Sequence, residues 1–225
     1  DVAPSRGLGD VYKRQDLNAW VGLFAEFAEC FNIKADKNTL FSTLYQKAME
    51  GDKDCGGMIA CNYYSGEPVT GLEEGRPMFL RRPDSHLGLA NFMRSHLYAS
   101  LATLKIGLDI LLKEEDVKID SITGHGGLFK TKGVGQSILA AAMNAPISVM
   151  ETAGEGGAWG MALLAAYMLS KKDGQSLGDY LDSRVFAERK SETMEPDLAD
   201  VAGFETYTKQ YQACLAAEKA AVQAF

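Results

Sequence analysis

The sequence predicts a mixed α/β fold that contains a mostly parallel sheet. Along residues 118–170, short strand-like runs alternate with helical runs in the order strand, helix, strand, helix. Units of this kind form parallel sheets, because the helix carries the chain back to the edge where the next strand begins. A glycine-rich turn follows each of the two strands. Ligands of such sheets bind at the carboxyl ends of the strands, where these turns lie.

The N-terminal part of the chain is predicted to be helical from Asp16 onwards. Asp16 can cap a helix in which apolar residues recur at intervals of three and four, from Leu17 to Phe31. Residues 1–15 show no helical or strand period and end in a basic cluster, whereas the rest of the chain is acidic. We interpret residues 1–15 as a non-native or disordered tail, so that the domain covers residues 16–225.

A second helix and a long loop are predicted next. Residues 38–50 carry apolar side chains on one helical face. Residues 51–83 hold too many glycines and prolines for a helix and leave room only for short strands, such as residues 57–61. Because loops of that length usually serve a site, this one is expected to be functional.

Residues 84–113 are the longest helix candidate. Leucines, together with Phe92 and Met93, form one apolar stripe along them. We interpret the segment as a core helix. His86 and His96 are interpreted as core residues too, since neither shares metal-ligand spacing with a pair of carboxylates.

The alternating unit and the C-terminal tail complete the prediction. Its strands are residues 118–123 and 147–150, and its helices are residues 132–144 and 158–170. A last amphipathic helix is predicted for residues 201–225.

Composition excludes several classes of partner. A net charge of −7 with scattered lysines and arginines leaves no basic surface for nucleic acid. The longest strongly apolar run, residues 160–169, is shorter than the roughly 20 residues of a membrane-spanning helix. Four widely spaced cysteines lack the C-x-x-C pattern and are interpreted as reduced core thiols. We therefore expect a cytoplasmic protein that binds neither nucleic acid nor membrane.

The two glycine turns are candidate anion sites. They are Gly124-His125-Gly126-Gly127 and Gly154-Glu155-Gly156-Gly157. Glycine lets the backbone approach a ligand closely, and the N–H groups at the start of the following helix attract negative charge. A phosphate or a nucleotide would suit this place, although either turn is also compatible with a purely structural connection.

Two generic phosphate motifs do not fit these turns. A Walker loop needs G-x-x-x-x-G-K-S/T, whereas Lys132 here precedes Gly133. A dinucleotide fingerprint needs G-x-G-x-x-G, and the second turn has another spacing. A dinucleotide-binding oxidoreductase domain is therefore the least favoured hypothesis.

Three segments resemble motifs of the FGGY family of carbohydrate kinases. Residues 126–136, GGLFKTKGVGQ, resemble the adenosine-binding motif of that family. Residues 155–162, EGGAWGMA, are similar to its later motif E-x-G-A-x-G-A-A. Residues 64–68, YSGEP, are similar to its G-E-R-x-P loop, and the long helix with Arg94 corresponds to its long interdomain-facing helix. The resemblance covers most of the domain.

The resemblance implies an actin-like ATPase fold of the ribonuclease H type and an ATP site that works with Mg²⁺. It implies that Gly126 and Gly127 cradle nucleotide phosphates, that Thr131 and Gln136 lie near the nucleoside, and that Gly156 and Gly157 line the other wall. The implied substrate is a sugar. If the chain is a divergent xylulokinase-like protein, that sugar is a ketopentose such as xylulose. A homodimer is left open.

The sequence also departs from the family pattern. Leu128 replaces a motif glycine, Val134 a common tryptophan, and Pro68 the arginine of G-E-R-x-P. The family's catalytic aspartate belongs to an N-terminal domain that this chain does not match, so no catalytic residue is predicted here. We expect the ATP-binding half of a kinase, inactive on its own. The alternative is a non-catalytic nucleotide-binding or scaffold module of the same fold.

Overall fold

The computed structural model describes residues 8–115, 117, 119, 122–150, 156–187 and 191–224. Within these residues the chain forms helices packed around two small sheets. The helices are α1 (Leu8–Cys30), α2 (Lys37–Ala48), α3 (Leu89–Lys113), α4 (Val134–Met143), α5 (Gly156–Ser170), α6 (Leu177–Tyr180) and α7 (Leu198–Ala224). The strands are β1 (Met58–Cys61), β2 (Met78–Arg81), β3 (Ile122–Gly124), β4 (Ile147–Met150) and β5 (Ser191–Met194).

Helix α3 is the centre of the core. Its buried face includes Met93, Leu97 and Leu101, which recur at every fourth residue and are buried. The helix packs against α1, α2, α4, α7 and β1. Because full burial of one large apolar side chain contributes about 1.5–3 kcal/mol, this face anchors the surrounding elements. The predicted core helix is confirmed.

The start of α3 lies later than predicted, at Leu89 rather than at residue 84. The residues before it form a surface loop, in which Ser85 Oγ donates to Gly57 O at 2.9 Å. His86 belongs to this loop: its Nδ1 lies 2.8 Å from Asp52 Oδ2, and its side chain is 78% exposed. The interpretation of His86 as a core residue is therefore wrong.

Helix α1 begins before the predicted boundary. Its first residue is Leu8, so residues 8–15 have helical backbone and the predicted start at Asp16 is wrong. Asp16 consequently lies inside the helix instead of capping it. Residues 1–7 lie outside the described part of the chain, and the assignment of residues 1–15 to a non-native tail stays a prediction.

His96 is a core residue, as predicted. It is 1% exposed and packs among aromatic rings, with the centroid of Phe92 at 4.5 Å and that of Trp20 at 5.5 Å. Its Nδ1 lies 2.9 Å from Asp16 Oδ2, and Asp16 is buried as well. The pair therefore joins α1 to α3 in the interior.

A buried guanidinium joins three helices. Arg94 of α3 is fully buried and donates from Nη2 to Tyr98 Oη (2.9 Å) and to the Asp200 carboxylate of α7. Its Nη1 donates to three carbonyls at the end of α2, those of Ala48, Met49 and Gly51. Arg94 thus satisfies carbonyls that a helix end leaves without an intrahelical partner, and it neutralises a buried carboxylate.

The larger sheet has the order β3-β4-β5. Strands β3 and β4 are parallel, with Gly124 opposite Val149, and α4 connects them. This confirms the predicted strand-helix-strand-helix unit. Strand β5 pairs antiparallel with β4 and was not predicted. Its sequence, SETM, is mostly polar and exposed, so it lacks the apolar alternation that marks a strand.

Residues between β1 and β2 form a tightly closed loop. The two strands pair antiparallel, and the strand predicted at residues 57–61 corresponds to β1. A Cβ on Gly66 would lie 2.3 Å from Glu73 O, and one on Gly75 would lie 2.6 Å from backbone atoms of Tyr63. Only glycine permits backbone segments to approach this closely.

The cysteines are all free thiols. Cys55 and Cys61 are buried, and burial raises the pKa of both thiols. Cys214 is partly buried, but Cys30 is exposed near the end of α1. The prediction of core thiols is therefore wrong for Cys30.

The longest strongly apolar run of the sequence, residues 160–169, lies in α5. Across the residues that the structure describes, no helix combines the length and apolar character needed to cross a membrane.

Candidate functional site

Two strands end at one edge of the larger sheet. Because β3 and β4 are parallel, Gly124 at the end of β3 and Met150 at the end of β4 lie on the same side. The first predicted glycine turn follows β3 there, and α5 begins at Gly156 beyond β4. Gly154 and Glu155 of the second turn lie outside the described residues. The described residues thus bring the first turn and the start of α5 to neighbouring strand ends.

The first turn requires glycine at Gly126. Its φ of 108° lies in a region that side chains with a Cβ rarely adopt. A Cβ built there would meet no atom within 4 Å, so the turn faces open space at this point. A 3-10 turn, Gly127–Lys130, follows. Backbone N–H groups beside such an opening are able to bind an anion.

Close glycine contacts hold this turn in place. A Cβ on Gly124 would lie 2.4 Å from the ring of Phe129, and one on Gly135 would lie 2.5 Å from Leu128 O. Phe129 therefore packs on the end of β3, while the backbone of Leu128 lies against the start of α4. The turn is clamped between the strand and the helix that flank it.

Thr131 and Gln136 both line a cavity of about 550 Å³ beside this turn. Both residues are buried. Gln136 Nε2 donates to Ile147 O of β4 and to Glu192 O of β5, each at 2.7 Å. The side-chain nitrogen of Gln136 thus joins two strands. Its predicted place near a nucleoside stays a prediction.

The same cavity carries opposite charges at its rim. Lys132 Nζ lies 3.3 Å from Glu192 Oε2, and these side chains are 84% and 62% exposed. Ser191 also lines the cavity. The sequence did not predict Ser191 and Glu192 as site residues, because it did not predict β5. The pairing of β5 with β4 and the hydrogen bond from Gln136 place them beside the glycine turn.

A second cavity, of about 350 Å³, is lined in part by the turn residues Gly124 and His125. Its walls are mostly apolar and include Trp159 of α5 and Phe186, whose rings are 6.1 Å apart at their centroids. The sequence motif that contains Trp159 thus lies next to the first turn. Gly157, two residues earlier, has open space where a Cβ would stand.

The loop of residues 64–68 has contacts with other elements. Glu67 accepts a hydrogen bond from Val69 N at 3.3 Å and thereby caps the 3-10 turn Pro68–Thr70. That turn packs on α3, where Val69 approaches Gly107. The contacts of this loop therefore tie it to the C-terminal half of α3.

Comparison with known proteins identifies the domain. Residues 8–169 match the model of the FGGY family of carbohydrate kinases, C-terminal domain. A search of curated protein sequences gives no match.

Solved structures show the same fold. The chain is similar to xylulose kinase from Lactobacillus acidophilus (TM-score 0.58, 19% identity, 77% of this chain and 34% of that chain). It is also similar to xylulose kinase from Rhodospirillum rubrum (0.60, 18%, 89% and 38%) and to Plasmodium falciparum glycerol kinase with ADP (0.56, 17%, 86% and 36%). The chain spans about a third of the length of these proteins.

The fold is that of the actin-like ATPases of the ribonuclease H type, as predicted. The family match covers most of the chain and includes both glycine motifs. On this evidence the chain belongs to the FGGY family of carbohydrate kinases, whose C-terminal domain it contains.

Proposed function

We propose that this chain is the ATP-binding half of a carbohydrate kinase that transfers a phosphoryl group from MgATP to a sugar hydroxyl. The observation that carries the proposal is the open turn at Gly126 and Gly127, which lies at a strand end in a domain of the FGGY family. Xylulose, a ketopentose, is the proposed sugar. The structural similarity to two xylulose kinases supports xylulose as the substrate.

The proposed phosphate contacts come from backbone rather than from side chains. Gly126 and Gly127 would offer N–H groups on one side, and the first turn of α5, from Gly156, would offer its unpaired N–H groups on the other. The positive end of the helix dipole favours negative charge at that position. Glycine at Gly157 leaves room for the phosphates.

The proposed nucleoside position is the cavity lined by Thr131 and Gln136. Its volume of about 550 Å³ lies within the range usual for small-ligand sites, about 300–1,000 Å³. Thr131 offers a hydroxyl, while Gln136 secures the strands that form the cavity wall.

Mg²⁺ and the catalytic base require groups beyond these residues. Among the described residues there is no group of three or more His, Cys, Asp or Glu side chains that could hold a metal ion. Mg²⁺ in phosphoryl-transfer sites is bound largely by phosphates and water, where it neutralises phosphate charge. The carboxylate base is proposed to come from a part of the kinase other than the C-terminal domain that this chain matches.

Calorimetric titration of the 225-residue chain with MgATP and MgADP tests the proposal. We expect weak binding, with a Kd on the order of 1 mM. Gly157→Asp should abolish it, because the added carboxylate would meet the phosphates, while an Asp in the first turn of a helix favours folding. Gly22→Asp adds the same charge in open space on α1 and should bind like the native chain.

The outcomes test the proposed nucleotide site. Loss of binding in Gly157→Asp but not in Gly22→Asp supports a nucleotide site beside α5, which the ATP-binding half of a kinase requires and which a scaffold without nucleotide lacks. If neither nucleotide binds the native chain, the proposal is contradicted and a scaffold role without nucleotide is favoured. Equal binding by all three chains would contradict the proposed position of the phosphates.

A further inference from the structure

We infer that the Glu192 carboxylate binds the ribose hydroxyls of the nucleotide and that Gln136 positions it. This inference rests on the proposed ATP site and adds a specificity-determining residue to it. Glu192 lies at the rim of the cavity that Thr131 and Gln136 line. Its side chain is 62% exposed, so a ligand can reach it.

The backbone at Glu192 is fixed by contacts independent of its side chain. Strand β5 pairs with β4, and Glu192 lies opposite Val149. Gln136 Nε2 donates to Glu192 O at 2.7 Å. One residue further on, Thr193 Oγ1 and Ser148 Oγ lie 2.8 Å apart across the two strands. The carboxylate therefore projects from a braced strand end, which is the arrangement that a specific contact needs.

The present partner of Glu192 is easily replaced. Lys132 Nζ lies 3.3 Å away, but both side chains are largely exposed. Exposed ion pairs of this kind contribute little, typically about 0–1 kcal/mol. A ligand that offers stronger donors can therefore take the carboxylate without a large loss.

A ribose diol is the part of a nucleotide that suits this group. An ionised carboxylate only accepts hydrogen bonds, and the 2′- and 3′-hydroxyls are two adjacent donors. The phosphates are excluded as its ligand, because like charges repel. An amino group of the base is the remaining donor, and the test below distinguishes it from the diol.

The test compares MgADP with its 2′-deoxy and 3′-deoxy analogues and with MgGDP, titrated into the full chain. We expect each deoxy analogue to bind about tenfold or more weakly than MgADP, the loss typical of one hydrogen bond to a charged acceptor. Glu192→Ala should reduce that difference to less than about twofold. Glu192→Gln, which keeps one acceptor but no charge, should give an intermediate ratio.

Three further variants separate positioning from charge. Glu195→Ala removes the same charge from an exposed residue just beyond β5 and should keep the native ratio. Lys132→Met breaks the ion pair and should also keep it. Gln136→Met should lower the ratio although Glu192 is intact, because β5 loses a hydrogen bond at that residue. The ratio of affinities is the readout, since a general loss of stability weakens all nucleotides alike.

Each outcome decides the inference. A ribose-dependent ratio that falls only in the Glu192 and Gln136 variants supports it. If MgADP binds but the ratio is near one, or is unchanged in Glu192→Ala, the inference is overturned while the ATP site stands. If Glu192→Ala instead changes the ratio of ADP to GDP, Glu192 contacts the base and the inference is overturned. Absence of binding by every nucleotide overturns both proposals.

Discussion

Arg94 shows how much of this domain depends on single buried polar residues. It is fully buried, and its guanidinium serves Asp200, Tyr98 and the carbonyls that end α2. Lys53 adds a second contact, with Nζ 2.7 Å from Asp200 Oδ1, but from the surface. Burial of a carboxylate is costly unless it is paired and hydrogen-bonded.

We predict that Arg94→Met lowers the free energy of unfolding by about 3 kcal/mol or more, because among the described residues it leaves the buried Asp200 with Lys53 as its one cationic partner. Arg82→Met is the matched control: Arg82 pairs with Asp84 at 3.1 Å, but both are exposed, so we expect a loss below about 1 kcal/mol. Urea unfolding measures both. Similar losses in the two variants would contradict the role assigned to Arg94.

Glu218 provides a pH-dependent test at the same scale. It is 0% exposed, Oε1 accepts a hydrogen bond from Arg76 N at 2.5 Å, and Oε2 has no partner among the described residues. Burial raises the pKa of Glu218 above its ordinary value near 4.5, although the Arg76 contact opposes this. The folded state therefore holds the proton more tightly than the unfolded state does.

This difference in pKa makes the contribution of Glu218 to stability depend on pH. The contribution of Glu218 to stability is fully present below the unfolded pKa and is lost as pH rises through the higher folded pKa. Relative to the native chain, Glu218→Gln should therefore gain stability as pH rises from about 4.5 towards neutrality. Glu205→Gln, an exposed change on the same helix, should show no such trend in urea unfolding across this range. A flat difference for Glu218→Gln would refute the assignment.

At the scale of elements, the junction between the glycine turn and α4 depends on close backbone approach. Gly135 is in the first turn of α4, and a Cβ there would lie 2.5 Å from Leu128 O. Gly160 is also helical, in α5, but a Cβ there would meet no atom within 4 Å. The two glycines should therefore respond to alanine in opposite directions.

We predict that Gly160→Ala raises the free energy of unfolding by up to about 1 kcal/mol, since alanine is the better helix former. Gly135→Ala should lower it by about 1–3 kcal/mol through steric overlap with the turn. Thermal and urea unfolding measure the two changes. Stabilisation by both substitutions would mean that the turn yields readily and is not clamped.

The elements that the sequence predicted are those specified by local patterns. Apolar periodicity within a short stretch of sequence predicts the stripe of α3. The same periodicity, together with glycine-rich turns between the elements, predicts the unit of β3, α4, β4 and α5. Strand β5 has no such pattern, because it is a polar strand held by one neighbour and by Gln136. A prediction from local sequence cannot supply that pairing, and Glu192 was missed with it.

At the scale of the whole molecule, several outcomes depended on contacts distant in sequence. Arg94 meets Asp200 across 106 positions, and Gln136 meets Glu192 across 56. His86 looked like part of a core helix, but a loop tied to Gly56 and Gly57 keeps it at the surface. The glycine motifs were recognised because their spacing is local, whereas the walls of the adjoining cavity are built by tertiary pairing.

Because the catalytic base is proposed to lie outside this chain, the chain alone should not phosphorylate a sugar. Transfer to a sugar hydroxyl needs a base and a positioned acceptor as well as MgATP. We therefore expect no xylulose-dependent ADP formation above the background rate in a coupled assay with 5 mM MgATP, a concentration set roughly above the expected Kd. Robust phosphorylation by the chain would show that the base lies within it.

The nucleotide site at the glycine turn is tested most directly by mapping MgADP on the amide NMR spectrum of the isotopically labelled chain. We predict that the amide shifts that change on nucleotide binding cluster at Gly126, Gly127 and Thr131 and in the first turn of α5. The amide shift of Glu192 should change as well, whereas the amide shifts of the 64–68 loop and of α1 should stay unchanged. Changes confined to other regions, or none at saturating nucleotide, would contradict a nucleotide site at the glycine turn.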